Sequence, residues 1–257
     1  MRIVVAIKQV LDPRGFTVNR KAEKIFVNRD EYIINPADKC ALEAALQLKD
    51  STGAEVIVLG AEYSAGGPDR ANEALRQAWA MGADRGIHLT DKLFAGADGL
   101  VAARLLAAAI RKLGEVDLAL TGERALDTGA GEVGPRLAEA LGWPHILAVH
   151  KVKVEDGLVK VIAKADTFVV VQAPRPAVVI VASGANQPRY ANAARVIHSY
   201  QKWNPDRWNA ADLGLTEAEL KVAVEKRGQA FPAERQPGTI LSSADELVGM
   251  LKRQRVI

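Results

Sequence analysis

A single cysteine, Cys40, in 257 residues excludes an intrachain disulfide and points to a reducing compartment. Its alanine-rich surroundings read as a small helix residue rather than a nucleophile. Charge is also nearly balanced. A net charge of +3 gives no reason to invoke nucleic acid, although a pI near 8.9 leaves room for a locally basic surface. No apolar run is long enough to span a bilayer. The apolar start, Met1 to Lys8, is too short for a secretory signal and has no small-residue cleavage site, so it reads as a first buried strand. A soluble cytoplasmic protein is expected. Several chemical signatures are missing as well. There is no G-x-x-x-x-G-K-[ST], no C-x-x-C, no H-E-x-x-H and no G-x-S-x-G, which argues against a P-loop, a zinc site and a serine-hydrolase elbow. The histidines, His88, His145, His150 and His198, are scattered, and His88 and His145 fall on strands.

What the chain does have is 49% hydrophobic and 25% charged residues, enough for one large α/β domain with an appendage or two small domains. Its most informative stretch runs from Gly122 to Pro135. It follows an apolar strand, Asp117–Thr121, and leads into a helix over Pro135–Leu141. A glycine-rich loop between a strand and a helix start presents backbone N–H groups and the positive end of the helix dipole, which suits it to hold a phosphate. The loop contains a literal G-x-G-x-x-G, Gly129 to Gly134. The dinucleotide fingerprint, however, needs those glycines directly after the first strand of a βαβ unit. Here Glu123 to Thr128 intervene and the strand is not the first. A loop that needs glycine only for its backbone angles is the plain alternative. A nucleotide site with no evident acid, base or nucleophile fits binding or electron transfer better than group transfer.

The first half of the chain alternates strand and helix. Strands are expected at Ile3–Ile7, Glu55–Leu59, Asp84–Leu89 and Asp117–Leu120. Helices are expected from Asn35-Pro36 through Leu48, over Asp69–Met81 and over Asp98–Leu113. Asn35 reads as a cap with Pro36 at the first helical position. A short Ile25–Val27 strand pairs with Phe16–Val18. This order predicts a mainly parallel sheet covered by helices, with ligands beyond the strand C-termini. The segments after Ile7, Leu59 (Gly60–Pro68) and Leu120 are expected to converge there. After Pro144 come strands at Ile146–Val154, Val159–Ala163, Phe168–Val171 and Ala177–Val181, with an Asp156-Gly157 hairpin signal. These antiparallel strands, added late, extend or flank the sheet. The expected organisation is an α/β nucleotide-binding domain over 1–186 and a C-terminal arm over 187–257. In the arm, Tyr190–Gln201 reads as helical, Lys202–Gly214 as loop, and Ser242–Arg253 as an amphipathic helix begun by Ser242 or Ser243. The stretch Gln187–Pro237 has little apolar content, so it either wraps a partner or forms a loose extension.

These motifs, in order, resemble the β (small) subunit of electron transfer flavoproteins over nearly the whole length. The matching segments are Val4–Val10; Asn35-Pro36 followed by Glu43–Ala45; Ala78–Gly86; Gly122, Ala125 and Asp127 through Val133-Gly134-Pro135; Pro188-Arg189-Tyr190; Asp212–Leu215; and the end at Val256-Ile257. The resemblance implies an adenine-nucleotide α-hydrolase-like, Rossmann-like three-layer fold and a heterodimer with an α subunit. That α subunit mainly holds the electron-carrying FAD, and AMP is bound in the β subunit. Electrons come from acyl-CoA or other dehydrogenases and pass to a membrane quinone oxidoreductase. In electron-bifurcating members, a second FAD takes the AMP site and NADH acts there. A stand-alone nucleotide-binding sensor is a third reading, against which the long tail argues.

By this resemblance the nucleotide contacts fall on Ala6, on Asn35, Pro36, Ala37 and Asp38, and on Gly122, Glu123, Arg124, Ala125, Asp127, Thr128, Gly129, Ala130, Gly131, Glu132 and Val133. Ala6 leaves room for a base, and Asn35 reads base or ribose edges while capping. The amides of Thr128 to Gly131 and the Thr128 hydroxyl hold the phosphate. Asp127 orders the loop by accepting backbone N–H bonds. No catalytic residue and no metal are implied. Two departures stand out. Ala193 occupies the expected position of a leucine anchor for dehydrogenase docking and the following lysine run is missing, which leaves Val196 or Ile197 as the apolar anchor. Glu132 stands where bifurcating and nitrogen-fixation-associated members, which the segments Leu89–Asp98 and Trp208–Gly214 resemble, often carry glutamine.

Overall fold

A computed structural model describes residues 1–63, 70–224, 228, 230–233, 235 and 238–256. The chain forms two compact units, Met1–Thr17 with Ile25–Glu225, and Val18–Lys24 with Lys226–Ile257. In chain order the elements are β1 (Arg2–Ile7), β2 (Gln9–Leu11), β3 (Phe16–Asn19), β4 (Lys24–Val27), β5 (Tyr32–Ile34), α1 (Pro36–Thr52), β6 (Glu55–Ala61), α2 (Arg70–Met81), β7 (Arg85–Leu89), α3 (Gly99–Leu113), β8 (Leu118–Gly122) and α4 (Val133–Leu141). They continue with β9 (His145–Glu155), β10 (Leu158–Lys164), β11 (Phe168–Pro174), β12 (Ala177–Val181), α5 (Ala193–Gln201), β13 (Asp206–Trp208) and α6 (Ala244–Arg253).

Nine strands build one sheet in the order β11-β10-β9-β12-β8-β1-β6-β7-β13. From β9 to β13 every neighbouring pair is parallel, and only β10 runs against its two neighbours. Such strands must be apolar on both faces because helices cover both. Ile3 and Val5 of β1 pack with Leu42 and Leu46 of α1 and Leu75 of α2. Val4 turns the other way, to Leu105 and Ile110 of α3 and Leu137 of α4. The result is the expected three-layer α/β fold, and the late strands extend the sheet rather than flank it.

The chain steps outward from β1 to β6 and β7, then returns to set β8 on the other side of β1. That reversal leaves a crevice above the C-terminal ends of β1 and β8, the usual ligand position in open parallel sheets.

The Asp156-Gly157 turn has φ of +53° and +78°, the paired left-handed conformation of a tight hairpin. The pairing of β3 with β4 agrees with expectation, whereas the β2–β5 pair was not foreseen. Within 202–214, expected to be loop, β13 pairs with β7. Three residues carry too little pattern to read; the strand is fixed by tertiary contacts, with Asp206 2.9 Å from Arg85 and Lys112 5.0 Å from the Trp208 ring centroid. The polar stretch after Gln187 also buries more than its composition implies, since Ala210 and Leu220 join the core around α3. Helix α5 begins at Ala193, not Tyr190, because the Asn192 side chain caps it by accepting from Arg195 N. Ser243, rather than Ser242, caps α6, accepting from Glu246 N, while Glu246 accepts from Ser242 N at 2.9 Å. The expected helix start at Asp69, residues 64–68 of the expected Gly60–Pro68 segment, and the terminal Ile257 lie outside the described residues. Among those residues no helix is long and apolar enough to cross a membrane.

Candidate functional site

The first turn of α1 ties the two strand ends together. Asp38 is buried. Its Oδ2 accepts the Lys8 N–H at 2.8 Å and its Oδ1 the Gly122 N–H at 3.2 Å, one donor following β1 and one ending β8. Burial pushes the Asp38 carboxyl up to about 7, against the pull of Asn35 and of those two amides. The contact requires glycine at 122. A Cβ there would lie 2.4 Å from Asp38 Oδ1 and 2.6 Å from the Ala37 carbonyl carbon. Gly122 is thus a packing glycine at the root of the loop, and Asp38 is engaged by the chain itself.

Asn35 is 1% exposed and stands at the N-cap position before Pro36, yet its side chain makes no capping bond. Its Nδ2 donates to the Arg124 carbonyl at 2.9 Å, its Oδ1 accepts from Leu126 N at 3.0 Å, and its own N–H donates to the Lys8 carbonyl at 2.8 Å. The capping expectation is therefore corrected. The α1 terminus is entered through Pro36, while the buried amide is turned to the loop and pins residues 124–126.

Beyond this anchor the loop is exposed from Leu126 to Ala130. Glu123 N donates to the Val181 carbonyl at 2.9 Å, and Gly129 N closes a turn onto the Ala125 carbonyl at 2.8 Å. Gly129 and Gly131 both have φ of +65°, conformations that favour glycine. The Gly129 amide is thereby committed to the turn, which leaves Thr128, Ala130 and Gly131 as the amides suited to an anion. Among the described residues no backbone N–H donates to Asp127, which was expected to order the loop in that way. Its partner is Lys8 Nζ, at 2.6 Å.

Glu132 likewise has its own solution. Its carboxylate pairs with Arg136 at 2.8 Å and lies over Gly99 at the start of α3, where a Cβ would sit 2.2 Å from Glu132 Oε1. The carboxylate is thus turned to α3 and Arg136. Helix α4 begins at Val133, two residues before the expected start, and its Gly134 packs so closely that a Cβ there would lie 2.6 Å from Ile180 Cγ1. The Thr121 hydroxyl beside it is buried and has no hydrogen-bond partner among the described residues. Ala6 is half-buried on β1, paired with Leu59 of β6.

The structure brings Ala6, Asn35–Asp38 and Gly122–Val133 to one crevice. The expected docking residues are elsewhere, on α5, which packs against α2 with Arg195 4.2 Å from the centroid of the Trp79 ring. There Ala193 and Ile197 are exposed and Val196 is half-buried. Sequence reasoning missed two crevice residues. Lys8 was hidden in the first motif as the residue that ends an apolar run. Tyr63 follows β6, and its phenol is pushed up by burial, by Asp38 and by Glu62. The only legible signal for Tyr63 was its place in the small-residue segment after Leu59.

An exposed turn with two left-handed glycines and a lysine beside it fits a phosphate-bearing ligand. None of the four histidines lies on this loop or at the start of α1.

A family profile described as the electron transfer flavoprotein domain matches residues 24–203. The chain is similar to the electron transfer flavoprotein subunit beta of Clostridium acetobutylicum, 38% identical over 222 residues that cover 86% of this chain and 83% of that one. It is 33% identical over 268 residues, the full length of both chains, to the caffeyl-CoA reductase-Etf complex subunit CarD of Acetobacterium woodii. Protein FixA of Bradyrhizobium diazoefficiens is 33% identical over 258 residues, 96% of this chain and 88% of its own. The profile spans most of the central sheet and the relatives align over nearly the whole length: the chain belongs to the electron transfer flavoprotein family, as a β subunit.

Proposed function

We propose that this β subunit pairs with an electron transfer flavoprotein α subunit and holds AMP in the crevice between β1 and β8. The observation that carries this reading is the loop from Gly122 to Val133, tethered at its root by Asp38 and Asn35 and open beyond it. In this reading Ala6 leaves room for the base, and the amides of Thr128, Ala130 and Gly131 with the Thr128 hydroxyl take the phosphate. Asn35 and Asp38 hold the loop and the strand ends in position. The redox chemistry is supplied by FAD held mainly by the α subunit. Electrons arrive from acyl-CoA or other dehydrogenases and leave to a membrane quinone oxidoreductase, with Ala193, Val196 and Ile197 of α5 facing the donor. The C-terminal arm wraps the α subunit, a reading supported by α6, which is amphipathic and has no buried residue. Acid release of bound small molecules from the purified heterodimer tests the proposal. AMP in the released fraction supports it, and its absence removes it.

A second reading has FAD in the β site, with NADH oxidised there. It is favoured by one observation. The two segments that resemble bifurcating and nitrogen-fixation-associated members are joined, with Thr90 N donating to the Trp208 carbonyl at 3.0 Å and Ala210 N to Asp91 Oδ2 at 3.0 Å. Two flavins per heterodimer would favour this reading over the first.

A further inference from the structure

We propose that Lys8 is a phosphate-binding residue of this crevice and that Asp127 holds its ammonium group until the phosphate arrives. The inference rests on the adenine-nucleotide reading above. Lys8 leaves the end of β1 with its backbone fixed on both sides, its N–H on Asp38 Oδ2 at 2.8 Å and its carbonyl accepting from Asn35 N at 2.8 Å. Only the side chain is free to reach, and it crosses the mouth of the crevice to Asp127 Oδ2, 2.6 Å away and 119 residues along the chain. Asp127 immediately precedes the Thr128–Gly131 turn, exposed as far as Ala130, so the lysine ammonium and the turn lie in the same small region. The other cations of the loop are engaged away from it. Arg124 pairs with Glu123 at 3.5 Å, and Arg136 pairs with Glu132, which is turned to α3.

A phosphate dianion held by amides alone would lack a counter-charge. Lys8 supplies one without moving its backbone. The Asp127 carboxylate is a half-exposed anion on a turn, so exchanging it for phosphate keeps one charge-assisted bond in place of another. The two residues therefore act in opposite senses on the same ligand. Removing Lys8 weakens binding, and removing the Asp127 charge strengthens it. A purely structural tie across the crevice predicts the same sign for both.

The test is a calorimetric titration of the heterodimer, co-purified with its α subunit and stripped of nucleotide, with AMP as the probe. Against the wild type, Lys8→Met is expected to bind AMP at least about tenfold more weakly, and Lys8→Arg to stay close to wild type. Asp127→Asn is expected to bind about two- to fivefold more tightly, the range a half-exposed ion pair is worth. Weaker or unchanged binding by Asp127→Asn overturns the proposal, as does Lys8→Met within twofold of wild type. Should Lys8→Met fail to assemble, Asp127→Asn alone decides, since its side chain lies on an exposed turn. A wild-type heterodimer that takes up no AMP is a separate outcome. It removes the nucleotide reading itself.

Discussion

The Asp38 carboxylate accepts the backbone N–H of Gly122 at 3.2 Å, across 84 residues of chain. With its other oxygen on Lys8 N, it sets the relative position of the two strand ends from which the crevice is built. Asp38, expected to touch a ligand, also pins the two strand ends to the first turn of α1.

Gly122→Ala tests the pin. The added methyl would meet the Asp38 carboxylate and the Ala37 backbone, neither of which is a flexible chain end. Overpacking of this kind costs about 1–3 kcal/mol. Urea unfolding should show a loss in that range, with AMP retention falling in the same variant. Unchanged stability would mean that the strand end and α1 separate readily.

Asn35→Ala separates tethering from capping. The substitution removes both bonds from the buried amide to the Arg124 carbonyl and the Leu126 N–H, at a cost of about 1–2 kcal/mol. Asn35→Asp is the sharper variant. Its carboxylate still accepts from Leu126 N but faces the Arg124 carbonyl without a donor. Both variants should lose AMP in equilibrium dialysis while α1 helicity, read by circular dichroism, stays unchanged. A loss of helicity would restore the capping role.

Gly131→Val acts on the loop alone. Its φ of +65° disfavours a β-branched residue, and a Cβ there would lie 3.2 Å from the Glu123 carbonyl. Nucleotide retention should fall, with the melting temperature lowered by no more than a few degrees because the strain is confined to one loop position. A variant with its full complement of AMP would show that the phosphate is held elsewhere.

Glu132→Gln is expected to leave AMP binding within about twofold of wild type, because the carboxylate is already turned to Arg136 and α3. Loss of this half-exposed pair should cost no more than about 0.5 kcal/mol. A large gain in affinity would mean that the carboxylate does face the phosphate.

The Asp38 carboxyl gives a pH signature of definite sign. Its ordinary value is 3.8 and burial lifts it to about 7, so the fold binds this proton more readily than the unfolded chain does. The associated stability is fully present below about pH 4 and is lost as pH rises through about 7. Lys8 is the charged group that opposes the shift. The difference in unfolding free energy between wild type and Asp38→Asn should therefore fall by about 1–4 kcal/mol from pH 4 to 8 and then level off. Parallel curves for the two proteins would contradict it.

The architecture was legible because its signals are local and repeated. The runs at β1, β6 and β8 are apolar on both faces, and Asp98 and Ser243 mark helix starts by side chains that accept from the first turn. The Gly122–Pro135 loop was legible for the same reason. What could not be read depends on distant partners. Strand β13 exists because β7 offers an edge, and Asn35 is drawn from its capping role by carbonyl and amide groups 89 and 91 residues away. The close packing of Gly122 on Asp38 and of Gly134 on Ile180 could not be read from the sequence, since both contacts are with residues far away in the chain. Lys8 was overlooked because nothing in its neighbours announces that it reaches Asp127.

The most direct test of the account is the cofactor content of the intact heterodimer, with FAD counted by absorbance and AMP by chromatography after acid release. The account predicts one FAD and one AMP per heterodimer. Two FAD and no AMP would contradict it and assign the crevice between β1 and β8 to a second flavin.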